Sequence, residues 1–171
     1  MTGFVLHALP VLRGILAIAP LPGAGGEYEA DMTHLDDWRP SMVITLTELP
    51  EMVAVGAGDL GRTVVGLGAR WVHVPVPDYG VPDAPGMVIW RKAAPTALSA
   101  LRGGGRVLIH CRGGCGRSGM AALRLMTEAG EPSGAALARL RTVRPCAVET
   151  KAQMRWALQG AGPGAGTGEK G

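Results

Sequence analysis

Residues 107–120, VLIHCRGGCGRSGM, decide the fold. The run from Arg106 to His110 is apolar on both alternating faces, which predicts a short strand in a sheet covered by helices. It enters a turn with glycine at 113, 114 and 116, and the residues after Arg117 read as a helix. A strand, a glycine turn and a helix start in that order aim several backbone N–H groups at one point, where the positive end of the helix dipole also lies. That point is an anion site. Cys111 sits at its rim with Arg117 beside it, and a field of that sign favours the thiolate, the nucleophilic form of cysteine.

The spacing sharpens this reading. Five residues separate Cys111 from Arg117, and Gly113, Gly114 and Gly116 among them let the chain wrap into a closed cradle. Arg117 can then close over the cradle, its planar fork holding two equatorial oxygens of a phosphoryl group. Ser118 is placed to donate to the sulfur, and His110 to fix the loop through a ring N–H to backbone. Phosphoryl transfer to sulfur also needs a proton donor for the departing oxygen. The loop VPDYGVPDAP (76–85) offers Asp78 and Asp83. Asp78 follows the strand RWVHVPVP directly, near the carboxyl end of the sheet where Cys111 emerges, and is preferred; Asp83, deeper in a proline-flanked turn, suits a helix cap.

Outward from this centre the elements alternate. FVLHALPVLRGILAIAPLPG reads as two short strands joined around Pro10 to Gly14, with ILAIAP the second, SMVITLTE (41–48) as a buried strand, and EMVAVGAGDLGR as a short helix and turn. A helix is expected from about Met87 to Arg102, with Pro95 kinking it or restarting it. Further helices follow Arg117, begin near Ser133 and begin near Glu149. One domain is expected over 1–159, with residues 160–171 a disordered glycine-rich tail.

Composition bounds the function. A chain of 171 residues, 47% hydrophobic, suffices for a single core. The formal charge is +3 with only three lysines and no dense basic block, which suits a small anionic ligand better than a nucleic-acid backbone. The late arginines of LARLRTVRPC (137–146) read as the solvated face of a helix, with Arg144 a possible exception. The apolar stretch at residues 4–23 is broken by His7, Pro10, Arg13, Gly14 and Pro20, too interrupted for a membrane span. Cys111, Cys115 and Cys146 cannot make a disulfide framework and no spacing fits a zinc site, so a reducing, cytoplasmic setting is expected. Cys146 reads as a small core residue. Cys115 either fills a variable cradle position or pairs reversibly with Cys111.

HCRGGCGRSG (110–119) resembles the H-C-x-x-G-x-G-R-[ST]-G signature of the cysteine-dependent protein tyrosine phosphatase superfamily. VPDYGVPDAP is similar to its W-P-D-[FY]-G-x-P acid loop, with Val76 where tryptophan is usual. The short chain resembles the compact dual-specificity branch, particularly kinase-associated phosphatase-like and bacterial members, over residues of about 10 to 159. The resemblance implies an α/β fold with a central, mostly parallel sheet of about five strands and helices on both sides. It implies Cys111 as nucleophile, Arg117 as phosphate clamp, Ser118 as thiolate support, Asp78 as general acid, Arg112 to Arg117 as the phosphate cradle, and no metal or organic cofactor. RPCAVETKAQ (144–153) is similar to the segment carrying Q-T-x-x-Q in relatives, with Glu149 at the first glutamine and Gln153 at the second. Glu149 either positions water or caps the final helix.

The expected substrate is therefore a phosphorylated protein or a small phosphomonoester. Phosphoprotein is favoured because the cradle's variable positions hold one arginine, Arg112, and no lysine. Phosphoinositide hydrolysis, rhodanese-type sulfur transfer and non-catalytic phosphate binding are the alternatives.

Overall fold

Short runs rich in Val, Ile and Leu form five strands: β1 (His7–Val11), β2 (Gly14–Ala19), β3 (Met42–Thr45), β4 (Arg70–His73) and β5 (Arg106–His110). The computed structural model describes residues 3–160, so the glycine-rich tail from residue 161 onward lies outside the described residues. The strands form one sheet in the order β1-β2-β5-β3-β4, in which only β1 and β2 are antiparallel. Between and after them come α1 (Tyr28–Trp38), α2 (Leu49–Ala54), α3 (Leu60–Gly66), α4 (Ala84–Arg102), α5 (Gly116–Glu128), α6 (Ser133–Val143) and α7 (Lys151–Leu158).

Strand alternation divides the interior into two cores. Leu16, Ile18, Met42, Ile44, Val107 and Ile109 face α4, α5, α6 and α7. Ala17, Ala19, Val43 and Leu108 point the other way, against Met32 and Leu35 of α1, Met52 of α2 and Leu60 and Val64 of α3. Each fully buried Val, Leu or Ile contributes about 1.5–3 kcal/mol of transfer free energy. Helix α5 is buried from Gly116 to Thr127, as a helix enclosed by the sheet and three other helices must be.

One expectation needs correction here. Helix α4 starts at Ala84 and runs through Pro95 without a restart. Pro95 sits on the exposed face of the helix, as does Arg91, whose carbonyl loses its usual i+4 donor. Helix α1 is an addition: no strong apolar stripe announces it, since it buries only Asp31, Met32 and Leu35.

The four parallel strands end at one edge of the sheet. The segments after β3, β4 and β5 therefore meet there, each bringing one component of the site.

Candidate active site

The turn after β5 is held from outside through its carbonyl groups. Leu21 N–H donates to the Arg112 carbonyl at 3.1 Å, and the Cys115 carbonyl accepts from Gly119 N–H at 2.9 Å and Val148 N–H at 3.3 Å. Arg144 donates from Nε to the Gly114 carbonyl at 3.1 Å and from Nη2 to the Gly113 carbonyl at 3.0 Å. Tying the carbonyls to the surrounding protein leaves the backbone N–H groups of the loop free. Among the described residues, none of those from Arg112 to Arg117 donates a hydrogen bond within the protein. Gly114, Gly116 and Arg117 are buried and Cys115 half-buried, and amides left without partners there mark a place suited to an anion. Gly114 makes the geometry possible: its φ is +72°, and a Cβ there would lie 2.7 Å from the Ala19 carbonyl carbon.

Cys111 is buried and its sulfur is free. Ser118 Oγ lies 3.2 Å from it, close enough to donate to a thiolate. Arg117 is only 2% exposed and is oriented by a residue that the motif does not contain. Glu51, in α2, takes its Nη1 and Nη2 on two carboxylate oxygens, each at 2.8 Å, while Nη1 also donates to the Val76 carbonyl at 2.9 Å. Nε and the remaining Nη2 hydrogen are left as a side-on fork for phosphoryl oxygens. Burial alone would lower the Arg117 pKa; the bonds to Glu51 and the charges of Cys111, Glu51 and Asp78 outweigh it and raise it. Burial alone would raise the Glu51 carboxyl, but hydrogen bonding to Arg117 and to the Glu48 backbone, with the charges of Arg117 and Arg112, brings it below its usual value.

The two loop aspartates separate cleanly. Asp78 Oδ1 stands 3.5 Å from Arg117 Nη2 with half its side chain exposed, facing the cradle. Asp83 is the N-cap of α4, its Oδ1 accepting from Gly86 N–H at 2.8 Å.

His110 is fully buried, and a chain of donors fixes its tautomer. Trp71 Nε1–H, which can only donate, gives its proton to Thr45 Oγ1 at 2.8 Å. The Thr45 hydroxyl is then directed to His110 Nε2, 2.7 Å away, so Nδ1 carries the ring proton and points at the Cys111 carbonyl, 3.4 Å away. Burial pushes the imidazole pKa down to about 4, against the opposing pull of the Cys111 carbonyl.

The segment before α7 corrects several expectations. Cys115 is disulfide-bonded to Cys146, so it pairs with neither Cys111 nor nothing. Cys146 is exposed rather than a core residue. One bridge does form, and the cysteine count no longer argues for a reducing compartment. Thr150, not Glu149, caps α7, in a reciprocal box with Gln153. Gln153 Oε1 accepts from Glu149 N–H and Thr150 N–H, and its Nε2 donates to the Gly80 carbonyl at 3.3 Å, tying α7 to the acid loop. The Glu149 carboxylate lies over Gly116, in the space a Cβ there would take, and lines a cleft of about 300 Å³ with Asp78, Tyr79, Arg112, Gly113 and Cys115. The arginines of α6 do more than meet solvent. Arg139 pairs with Glu131 and the Pro10 carbonyl, and Arg141 donates to the Ala147 and Val148 carbonyls.

The chain that brings together a free buried cysteine, a loop of unpaired amides, a clamped arginine and a facing aspartate is matched by a family model. Residues 24–156 fit that of the Swiss Army Knife dual-specificity and tyrosine phosphatase domain, PTP-SAK. The chain belongs to this phosphatase family. Among solved structures, this phosphatase resembles kinase associated phosphatase with its catalytic-site cysteine replaced by serine, at 20% identity over 93% of this chain and 94% of that one, with a TM-score of 0.80. It also resembles Tk-PTP in its active form, at 25% identity over 84% and 89% of the two chains, TM-score 0.65. A third likeness is to PTPMT1 in complex with PI(5)P, at 17% identity over 90% and 93%, TM-score 0.69. No curated protein sequence matches the phosphatase. Among the described residues, no helix is long and apolar enough to cross a membrane.

Proposed function

We propose that the phosphatase hydrolyses phosphomonoesters on proteins through a cysteinyl phosphate, with Cys111 as nucleophile and Asp78 as general acid. The observation that carries this is the run of backbone N–H groups from Arg112 to Arg117 without partners within the protein, in the loop that follows the free, buried Cys111, with Arg117 held by Glu51 beside it. In the first step the Cys111 sulfur attacks phosphorus in line. The P–O bond to the leaving group breaks as Asp78 gives that oxygen a proton. In the second step water attacks phosphorus, Asp78 takes the water's proton, and sulfur leaves as thiolate, receiving a hydrogen bond from Ser118. The loop amides and Arg117 hold the equatorial charge in both transition states. Gln153 is committed to backbone groups, whereas Glu149 faces the cleft and is the side chain placed to hydrogen-bond the attacking water. A phosphoprotein substrate accords with a cytoplasmic setting, which belongs to this proposal.

Hydrolysis of p-nitrophenyl phosphate tests the proposal. Cys111→Ser is expected to abolish turnover, and Asp78→Ala to lower turnover on phosphotyrosine by about a hundredfold or more, the ordinary worth of a general acid. Turnover that survives Cys111→Ser refutes the mechanism.

A further inference from the structure

At the end of the sheet opposite β1, strand β4 has an open side. Arg70 N–H donates to the Ser41 carbonyl at 3.0 Å and Val74 N–H to the Thr45 carbonyl at 2.9 Å. The pleat therefore turns these groups toward β3 and the N–H and C=O groups of Trp71 and His73 away from it. Among the described residues no strand pairs with that outer side. Beside it runs a groove of about 410 Å³ between β4 and α4. Val88, Ile89, Lys92 and Thr96, spaced to share one face of α4, line it from one side and Val72 of β4 from the other. Val88 is 54% exposed and Ile89 36%, although Trp90, Ala94 and Leu98 of the same helix are buried. Arg70 and Lys92 also line the groove, and no carboxylate does. Both cations are exposed, and among the described residues neither has an ion pair.

We propose that this edge and groove take up an extended, acidic segment of a partner protein, which joins the sheet as a strand beside β4 and lays an aliphatic side chain against Val88 and Ile89. The open backbone groups of Trp71 and His73 pair with the main chain of the guest, and alternation sends every second guest side chain into the groove. An aliphatic one removes Val88 and Ile89 from water. Carboxylates on its groove-facing neighbours meet Arg70 and Lys92, and the absence of any acid in the lining sets the sign of what binds. A second copy docked by its own β4 would bring more cations to the same place, so the charges that select an acidic guest also block self-pairing of the edge. Residues 161–171 hold no aliphatic side chain larger than alanine, so they do not supply the guest. The guest needs no phosphoryl group, and the proposal stands apart from the chemistry at Cys111.

The test pans the immobilised protein with a phage-displayed library of random linear peptides, then titrates a synthetic peptide of the enriched sequence into isotope-labelled protein. The expected enrichment is an aliphatic residue with Asp or Glu two positions to either side. Saturable amide shifts are expected at Trp71, Val72 and His73 and in α4 around Ile89. Val88→Glu, at a position open to solvent, should weaken that peptide by about tenfold or more. Lys92→Glu should weaken it severalfold, with affinity regained on a peptide whose acidic residues are changed to Lys. Amide spectra that match the parent away from the groove show that each variant is folded. No enrichment, enrichment without the acidic and aliphatic pattern, shifts elsewhere in the molecule, or affinity indifferent to both substitutions overturns the proposal. A dimer in sedimentation velocity that Val88→Glu dissociates also overturns it, giving the groove to a second copy. Hydrolysis of p-nitrophenyl phosphate is expected to be the same in the parent and both variants, and its absence from all three would sink the phosphatase proposal alone.

Discussion

Glu51 grips Arg117 from a helix 66 residues earlier in the chain, by two parallel bonds between groups that are largely out of water. Replacing it with Gln puts an amide N–H₂ opposite one of the guanidinium donors. One charge-assisted bond is lost, and the fork swings away from the cradle. Such a bond is worth about 1.5–3 kcal/mol, so Glu51→Gln is expected to lower kcat/KM on p-nitrophenyl phosphate by about 10- to 100-fold and to weaken inhibition by inorganic phosphate in parallel. Steady-state kinetics with both measurements check it; unchanged phosphate inhibition would mean that Glu51 does not orient the fork. The difference between Arg117 and Glu51 also shows what a sequence discloses. That Cys111, Arg117 and Ser118 lie together is legible because the cradle is local, and its glycines and spacing fall in ten consecutive residues. Glu51, Thr45 and Trp71 reach the cradle only through the packing of α2, β3 and β4 beside β5, and nothing in their own neighbourhoods announces it.

Elements decide which aspartate faces the cradle and what braces the loop. Asp83 closes the first turn of α4, so Asp83→Ala should cost about 1 kcal/mol in urea unfolding and leave turnover nearly intact, the reverse of the Asp78→Ala outcome. Turnover lost in Asp83→Ala and kept in Asp78→Ala would transfer the acid role. The cradle is further braced by the segment before α7 through Arg144, the Val148 N–H and the Cys115–Cys146 bridge. That bridge closes a loop of sequence separation 31, and a crosslink of this span removes about 2–4 kcal/mol of unfolded-chain freedom. Cys146 is exposed, so dithiothreitol reaches it. Dithiothreitol and Cys146→Ser are each expected to lower Tm by a similar amount, and dithiothreitol to add nothing to the variant; a Tm indifferent to both would deny the bridge a structural role. This pairing is not legible from spacing, since the chain must fold before residues 115 and 146 meet. Helix α1 escapes for a different reason. Its N-cap Glu27 makes no side-chain cap bond and its C-cap is Arg39 rather than glycine, so both punctuation marks are missing along with the apolar stripe.

At the scale of the molecule, the sheet with a core on each face was legible because VLIH is apolar at successive positions and parallel strands must be covered twice. That same burial places an imidazole where it resists protonation. His110 ends the central strand with no exposed surface, and its Nε2 already accepts from Thr45, so a proton arriving there would break the relay and charge a site out of water. Its pKa of about 4 in the fold compares with 6.5 for an unperturbed histidine. Between those values the unfolded chain binds a proton at this ring that the folded chain refuses. Stability therefore rises with pH across that interval: it is complete above about pH 6.5 and drains away as pH falls toward 4. From pH 7.5 to 4.5 the loss from this one group is about 2.5 kcal/mol, taking 1.36 kcal/mol per pKa unit. His7, lowered by burial and Arg144, adds a loss of the same sign. Glu51 adds its own below its unperturbed value of 4.5, so the higher window isolates the histidines. Urea midpoints measured at pH 7.5, 6.0 and 4.5 should fall steadily in the parent protein. In His110→Asn, which cannot titrate, most of that slope should vanish even though the variant is less stable at pH 7.5. A variant that keeps the parent's full slope would show that acid attacks the fold somewhere other than the ring behind Cys111.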